Sequence, residues 1–103
     1  MNQTKIPDGT INYIVRDLDL KTDAAKDFLR IALENAALFD RKQSDYGPRN
    51  MSGFGSFGVI VRASDKFERI KHMFNNRRSH AVNESIEDSY RDITNYMIIA
   101  LML

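Results

Sequence analysis

GFGSFG, residues 53–58, decides the fold class of this chain. Read as G-x-G-x-x-G, it would cradle a dinucleotide pyrophosphate in an α/β unit; read as a flexible link into a helix, it belongs to an all-α protein. The dinucleotide fingerprint needs a strand before the glycines and an acidic residue about twenty positions later, at the end of the next strand. Here a helical pattern and Tyr46-Gly47-Pro48 lead into it, and VIVRASDKFERI, residues 59–70, continues at helical spacing. The α/β reading therefore fails. What survives is narrower: glycines followed at once by a helix N-terminus can seat an anion in any fold.

Working outward, Ile60, Ala63, Phe67, Ile70 and Phe74 recur at steps of three and four, which predicts a helix over roughly 56–76 with that stripe toward the core. Asn75-Asn76-Arg77-Arg78 breaks it. A further helix is expected from about Asn83, where Asn83 can cap and Glu84, Glu87 and Asp88 suit the positive N-terminal end. Ile86, Tyr90, Ile93, Met97 and Leu101 form its expected core stripe, and its end, YMIIALML, is apolar nearly all round, so burial between helices or between subunits is expected. Upstream, Phe28, Ile31, Ala32, Leu38 and Phe39 predict a helix over 23–45, capped by Thr22 or Asp23 and stopped by Gly47-Pro48. Residues 1–22 hold Pro7, Asp8-Gly9 and a β-prone stretch, Ile11 to Val15, and read as an N-terminal arm or a strand that pairs with another copy. The expected organisation is thus an arm over 1–22 and a helical domain over 23–103: an all-α bundle of three main helices, completed by oligomerisation into a dimer or higher assembly.

At 103 residues the chain makes one domain with a small core. Fifteen basic and fourteen acidic residues give a net charge of +1, so no broad field favours direct DNA binding or an anionic membrane. Cysteine is absent, which excludes disulfides, thiolate metal sites and cysteine nucleophiles. The N-terminus has no signal-peptide pattern, and no apolar run reaches the ~18 to 20 residues of a membrane span. A cytoplasmic protein is expected.

Two stripes carry chemistry. Arg62, Asp65, Arg69 and His72 share one side of their helix, away from Phe67 and Phe74; they could hold a phosphate, or form Arg62–Asp65 and Asp65–Arg69 pairs on a solvated face. Glu84, Asp88, Asp92 and Asn95 lie on the side opposite Ile86, Tyr90, Ile93 and Met97. Asp88 and Asp92, four apart, repel unless a cation lies between them, so they suit Mg²⁺, or else pair with Arg62, Lys66 or Arg69. Asp45 stands at the helix end that disfavours an acid, so something else should hold it. Glu34 can face solvent or the bundle interior. No Ser-His-Asp or H-x-x-x-H arrangement occurs.

KQSDYG at 42–47, VRASDKFERI at 61–70 and ESIEDSYRDITNYMIIAL at 84–101 together resemble the nucleotide modification associated domain of phages and bacteria, which looks like a member of the MazG-like all-α nucleotide pyrophosphohydrolase group. The resemblance covers residues 39–101 and implies an oligomeric helical bundle that binds nucleotide phosphates through Mg²⁺ and basic side chains. In catalytic members water attacks the α-phosphate, giving a nucleoside monophosphate and pyrophosphate. Carried over, Lys42 and Asp45 match the first element, Asp65, Lys66 and Arg69 the second, and Asp88, Asp92 and Asn95 the third. The site implied has Asp45, Asp65 and Asp92 as catalytic carboxylates. Lys42, Tyr46, Arg62, Lys66, Arg69 and Asn95 would bind the nucleotide, and Glu34, Asp88 and Asp92 the metal. One departure is that such enzymes present an E-x-x-E pair on an earlier helix, whereas Glu34 has Ile31 and Ala37 at those spacings.

Two functions are therefore expected. One is a Mg²⁺-dependent pyrophosphohydrolase acting on a free or modified (deoxy)nucleotide; the other is a non-catalytic protein of phage type that sequesters a nucleotide or cyclic-nucleotide signal in the host cytoplasm. A third reading, an interaction module using the YMIIALML end, needs no small ligand.

Overall fold

The computed structural model describes residues 4–46, 55–75 and 82–103, and all regular structure among them is helical. Four helices follow one another: α1 Asp8–Asp17, α2 Asp23–Tyr46, α3 Gly55–Asn75 and α4 Val82–Met102. They fall into two compact units, Met1–Asp45 and Tyr46–Leu103.

In the first unit the β-prone stretch Ile11 to Val15, expected as a strand, lies within a helix. Pro7 occupies the N-cap position with extended backbone (φ −61°, ψ 142°), and its carbonyl accepts the Thr10 and Ile11 amides at 3.1 and 3.2 Å. Proline loses nothing there, because a helix start has no partner for that amide. Asp8 supplies an acid in the first turn. Ile11, Ile14, Val15 and Leu18 are spaced at three and four rather than two, and Ile11 is fully buried. Ile14 and Val15 are half-buried beside it while Leu18 is exposed, and burial of the first three outweighs the β preference of the branched residues.

The turn out of α1 is tightly bonded. The Asp19 amide donates to the Arg16 carbonyl and the Leu20 amide to the Val15 carbonyl, at 3.1 and 2.9 Å, which is the Schellman arrangement. Its left-handed position holds Asp19 at φ 54° rather than a glycine, and Lys21 Nζ lies 2.6 Å from the Asp19 carboxylate. Thr22 then caps α2: its Oγ1 accepts the Ala25 amide at 3.0 Å, as expected for one of the two candidate caps. Arg30 of α2 reaches Asp8 of α1 and Asp27 of its own helix, both at 3.5 Å. Along α2, Asn35 and Leu38 are the buried residues.

In the second unit α3 and α4, 21 residues each, pack along one another. The link between them, residues 76–81, spans at most ~25 Å, whereas either helix is ~31 Å long, so only an antiparallel hairpin can be closed. Gly55, at φ 63°, opens α3 with a backbone that other residues resist. GFGSFG thus runs straight into a helix; its first two residues lie outside the described residues.

The faces buried in this unit differ from the expected stripes. On α3 the buried residues are Val59, Ala63 and Met73, with Lys66 and Ile70 half-buried between them. Of the expected stripe, Ala63 is buried and Ile70 half-buried, but Ile60 is exposed, Phe67 is 51% exposed and Phe74 61%. On α4 the buried residues are Ser89, Asn95 and Ile99, while Tyr90, Met97 and Ile98 are exposed and Leu101 is 87% exposed. The physical reason is that both helices carry apolar residues around more than half their circumference. Polar residues can go inward where they find a partner, as Lys66 does in Asp92, leaving an apolar face outward. No helix among the described residues is long and apolar enough to cross a membrane.

Candidate functional site

Period alone places Arg62, Lys66 and Arg69 on one row of α3, four and then three residues apart. The outer two are exposed and the middle one is half-buried. Lys66 Nζ lies 3.1 Å from Asp92 Oδ2 on α4, with the two side chains 26% and 15% exposed. This contact joins a residue expected to bind nucleotide to one expected to act as catalyst and metal ligand. It realises the pairing alternative for Asp92.

The pairs expected within α3 do not form. Among the described residues Arg62, Asp65, Arg69 and His72 make no ion pair, and all four are exposed. The row therefore presents two open guanidiniums on either side of an ammonium that is already engaged. Asp65 stands beside them on the solvent side, where a carboxylate lowers the attraction for an anion without neutralising it.

On α4, Asn95 is buried and engaged by neighbours, so its amide acts inside the fold. Ser89 is also buried, and Asp88 is half-buried. The sequence reading missed Arg91, whose side chain is 11% exposed and which meets Glu87 at 3.5 Å. The Glu87/Arg91 spacing of four was the available signal. Thr94 Oγ1 donates to the Tyr90 carbonyl at 2.8 Å, turning that hydroxyl onto its own helix.

Glu34 and Lys42 belong to the first unit; both are half-buried and engaged by neighbours. Asp45 and Tyr46 are on the last turn of α2, and their side chains lie outside the described residues, as does that of Glu84. Among the described residues no three His, Asp or Glu side chains gather as a metal site. Asp88 and Asp92 remain adjacent, one turn apart, with Lys66 against the second.

The model of the nucleotide modification associated domain 1 family matches residues 42–103, more than half of the chain. The chain belongs to this family. The family segment takes in Lys42, the end of α2, and the whole of α3 and α4, and so contains both the basic row and the Lys66–Asp92 contact. No curated protein and no solved structure matches the chain.

Proposed function

We propose that this protein binds a nucleotide through its phosphates on the basic row of α3 and holds it without hydrolysing it. The observation that carries this reading is the pair of exposed arginines, Arg62 and Arg69. Neither has a protein anion among the described residues, whereas Asp92, the carboxylate a hydrolytic site would need, is tied to Lys66 at 3.1 Å. Guanidinium forks match phosphate oxygens and are never deprotonated at working pH. A net charge of +1 fits a free nucleotide better than DNA. The reading sets the protein in the cytoplasm, where free nucleotides are met, and covers linear and cyclic nucleotides alike.

A second reading, kinship with MazG-like Mg²⁺-dependent pyrophosphohydrolases, is favoured by one observation. Asp88 is half-buried one turn from Asp92 and has no ion-pair partner among the described residues, an arrangement that attracts a cation. On that reading Asp88 and Asp92 would hold Mg²⁺, with Asp65 of the same unit orienting water.

One experiment separates the two. The protein is incubated with the common nucleoside triphosphates and cyclic dinucleotides, with and without Mg²⁺, and the ligand is analysed by mass spectrometry after binding has been measured by calorimetry. Metal-independent binding with intact ligand is expected, lost on Arg62→Ala/Arg69→Ala. Pyrophosphate release would transfer the case to the second reading, and no binding of any nucleotide would refute both.

The outward apolar residues of α3 and α4, among them Phe67, Phe74, Met97 and Leu101, support a homo-oligomer. Light scattering at micromolar concentration is expected to give a mass above the 11.9 kDa of one chain; a monomer would refute this.

A further inference from the structure

Three cations on one helical row repel one another unless an anion lies on them. In α3 only the middle one has such an anion: Lys66 meets Asp92, while Arg62 and Arg69 on either side meet none among the described residues. One protein anion thus already occupies the ammonium that a phosphate reaching all three cations would also have to engage.

We propose that Asp92 is a built-in competitor for that phosphate, occupying Lys66 until a ligand carrying at least two negative charges replaces it. The inference rests on reading the α3 row as a phosphate seat. Three features make the exchange feasible. The Lys66 side chain is 26% exposed, so part of it reaches the surface. Its flexible four-carbon stem can swing the charge outward without moving the backbone, as an arginine fork could not so readily. Asp92 is engaged by a further neighbour, so the departure of Lys66 does not strip the carboxylate of all compensation. A singly charged anion offers Lys66 no more than Asp92 already does, whereas a di- or polyphosphate gains the two arginines as well. Asp92 therefore acts as a threshold that selects multiply charged ligands.

The test is calorimetry on the full chain with inorganic pyrophosphate and with dATP, both without Mg²⁺. Asp92→Asn is expected to tighten the Kd for both by about tenfold, and Lys66→Gln to weaken it by a similar factor. The double variant should behave like Lys66→Gln, because the gain acts through the freed ammonium. Glu87→Gln, which removes the same charge outside the row, should change the Kd less than about twofold. Unchanged or weaker binding by Asp92→Asn overturns the proposal, as does a double variant that keeps the gain. If Asp92→Asn does not fold by circular dichroism, Asp92→Ser replaces it. Should both unfold, Lys66→Gln decides, and unaltered binding by that variant overturns the idea. A native chain that binds neither ligand overturns the phosphate-seat reading itself; a native chain that binds, with Asp92→Asn unchanged, overturns only the competition.

Discussion

Lys66→Met removes the ammonium and keeps most of the stem, so its effect on stability isolates the charge. Asp92 is 15% exposed, between the surface limit, where ion pairs are worth ~0 to 1 kcal/mol, and the buried limit, where losing one partner costs ~3 to 5 kcal/mol. The remaining interaction of Asp92 softens the loss, which places the gross cost at about 2 kcal/mol. Against it, removing the central charge relieves repulsion with Arg62 and Arg69, about 0.5 kcal/mol for the two neighbours together. The net destabilisation expected is about 1.5 kcal/mol, or roughly 6 to 12 °C in Tm for a chain of this size. Asp92→Asn should cost less, about 0.5 to 1 kcal/mol, because the freed ammonium can reach water and the amide keeps hydrogen-bonding capacity. Urea and thermal unfolding of both variants measure the difference. Equal costs, or a Lys66→Met chain as stable as the native one, would refute the account of a half-buried carboxylate that needs its cation.

Other perturbations have signs fixed by local geometry. Thr22→Ala should destabilise α2 by about 1 kcal/mol in thermal unfolding, since the Ala25 amide loses its Oγ1 acceptor. Asp19→Gly should stabilise by about 0.5 kcal/mol, because the left-handed position suits glycine and the Lys21 contact it sacrifices is solvent-exposed. A fall in Tm would show that the pair matters more than the backbone. Ala63→Leu should cost about 1 to 3 kcal/mol by overpacking the buried face of α3, whereas Phe67→Leu on the exposed side should leave chain stability nearly unchanged while weakening any oligomer seen by light scattering.

The bounds of the three long helices were legible in the sequence because their ends carry local chemistry. Thr22 caps and Gly47-Pro48 follows the stop, whereas Asn83, expected as a cap, lies inside the last helix, one residue after its start at Val82. Helix α1 was hidden by composition: Ile11, Ile14 and Val15 invite a strand, and Pro7 and Gly9 invite a turn. The available clue was the spacing 11, 14, 15 and 18, with proline where a helix start tolerates it. Which face of α3 and α4 turns inward was legible only in part, through Ala63 and Ile70. Periodicity ranks residues by apolarity, and it put Phe67, Tyr90 and Leu101 inside. Packing instead placed Lys66, Asp92 and Asn95 inside, because an engaged polar residue can be buried at little cost. The candidate site followed the same logic: the residue types were visible along each helix, whereas the Lys66–Asp92 contact exists only once the hairpin is closed.

That contact also sets how the two helices align lengthwise. Sliding α4 by seven residues along α3 would keep every helix face where it is, yet bring Asp92 against Val59 or Met73, both buried. A carboxylate moved from an ammonium to an aliphatic or thioether neighbour loses that cation, at a cost of about 2 kcal/mol. Apolar contacts alone discriminate weakly between such slipped pairings, so in this hairpin a single ion pair works as an index mark that leaves one alignment admissible.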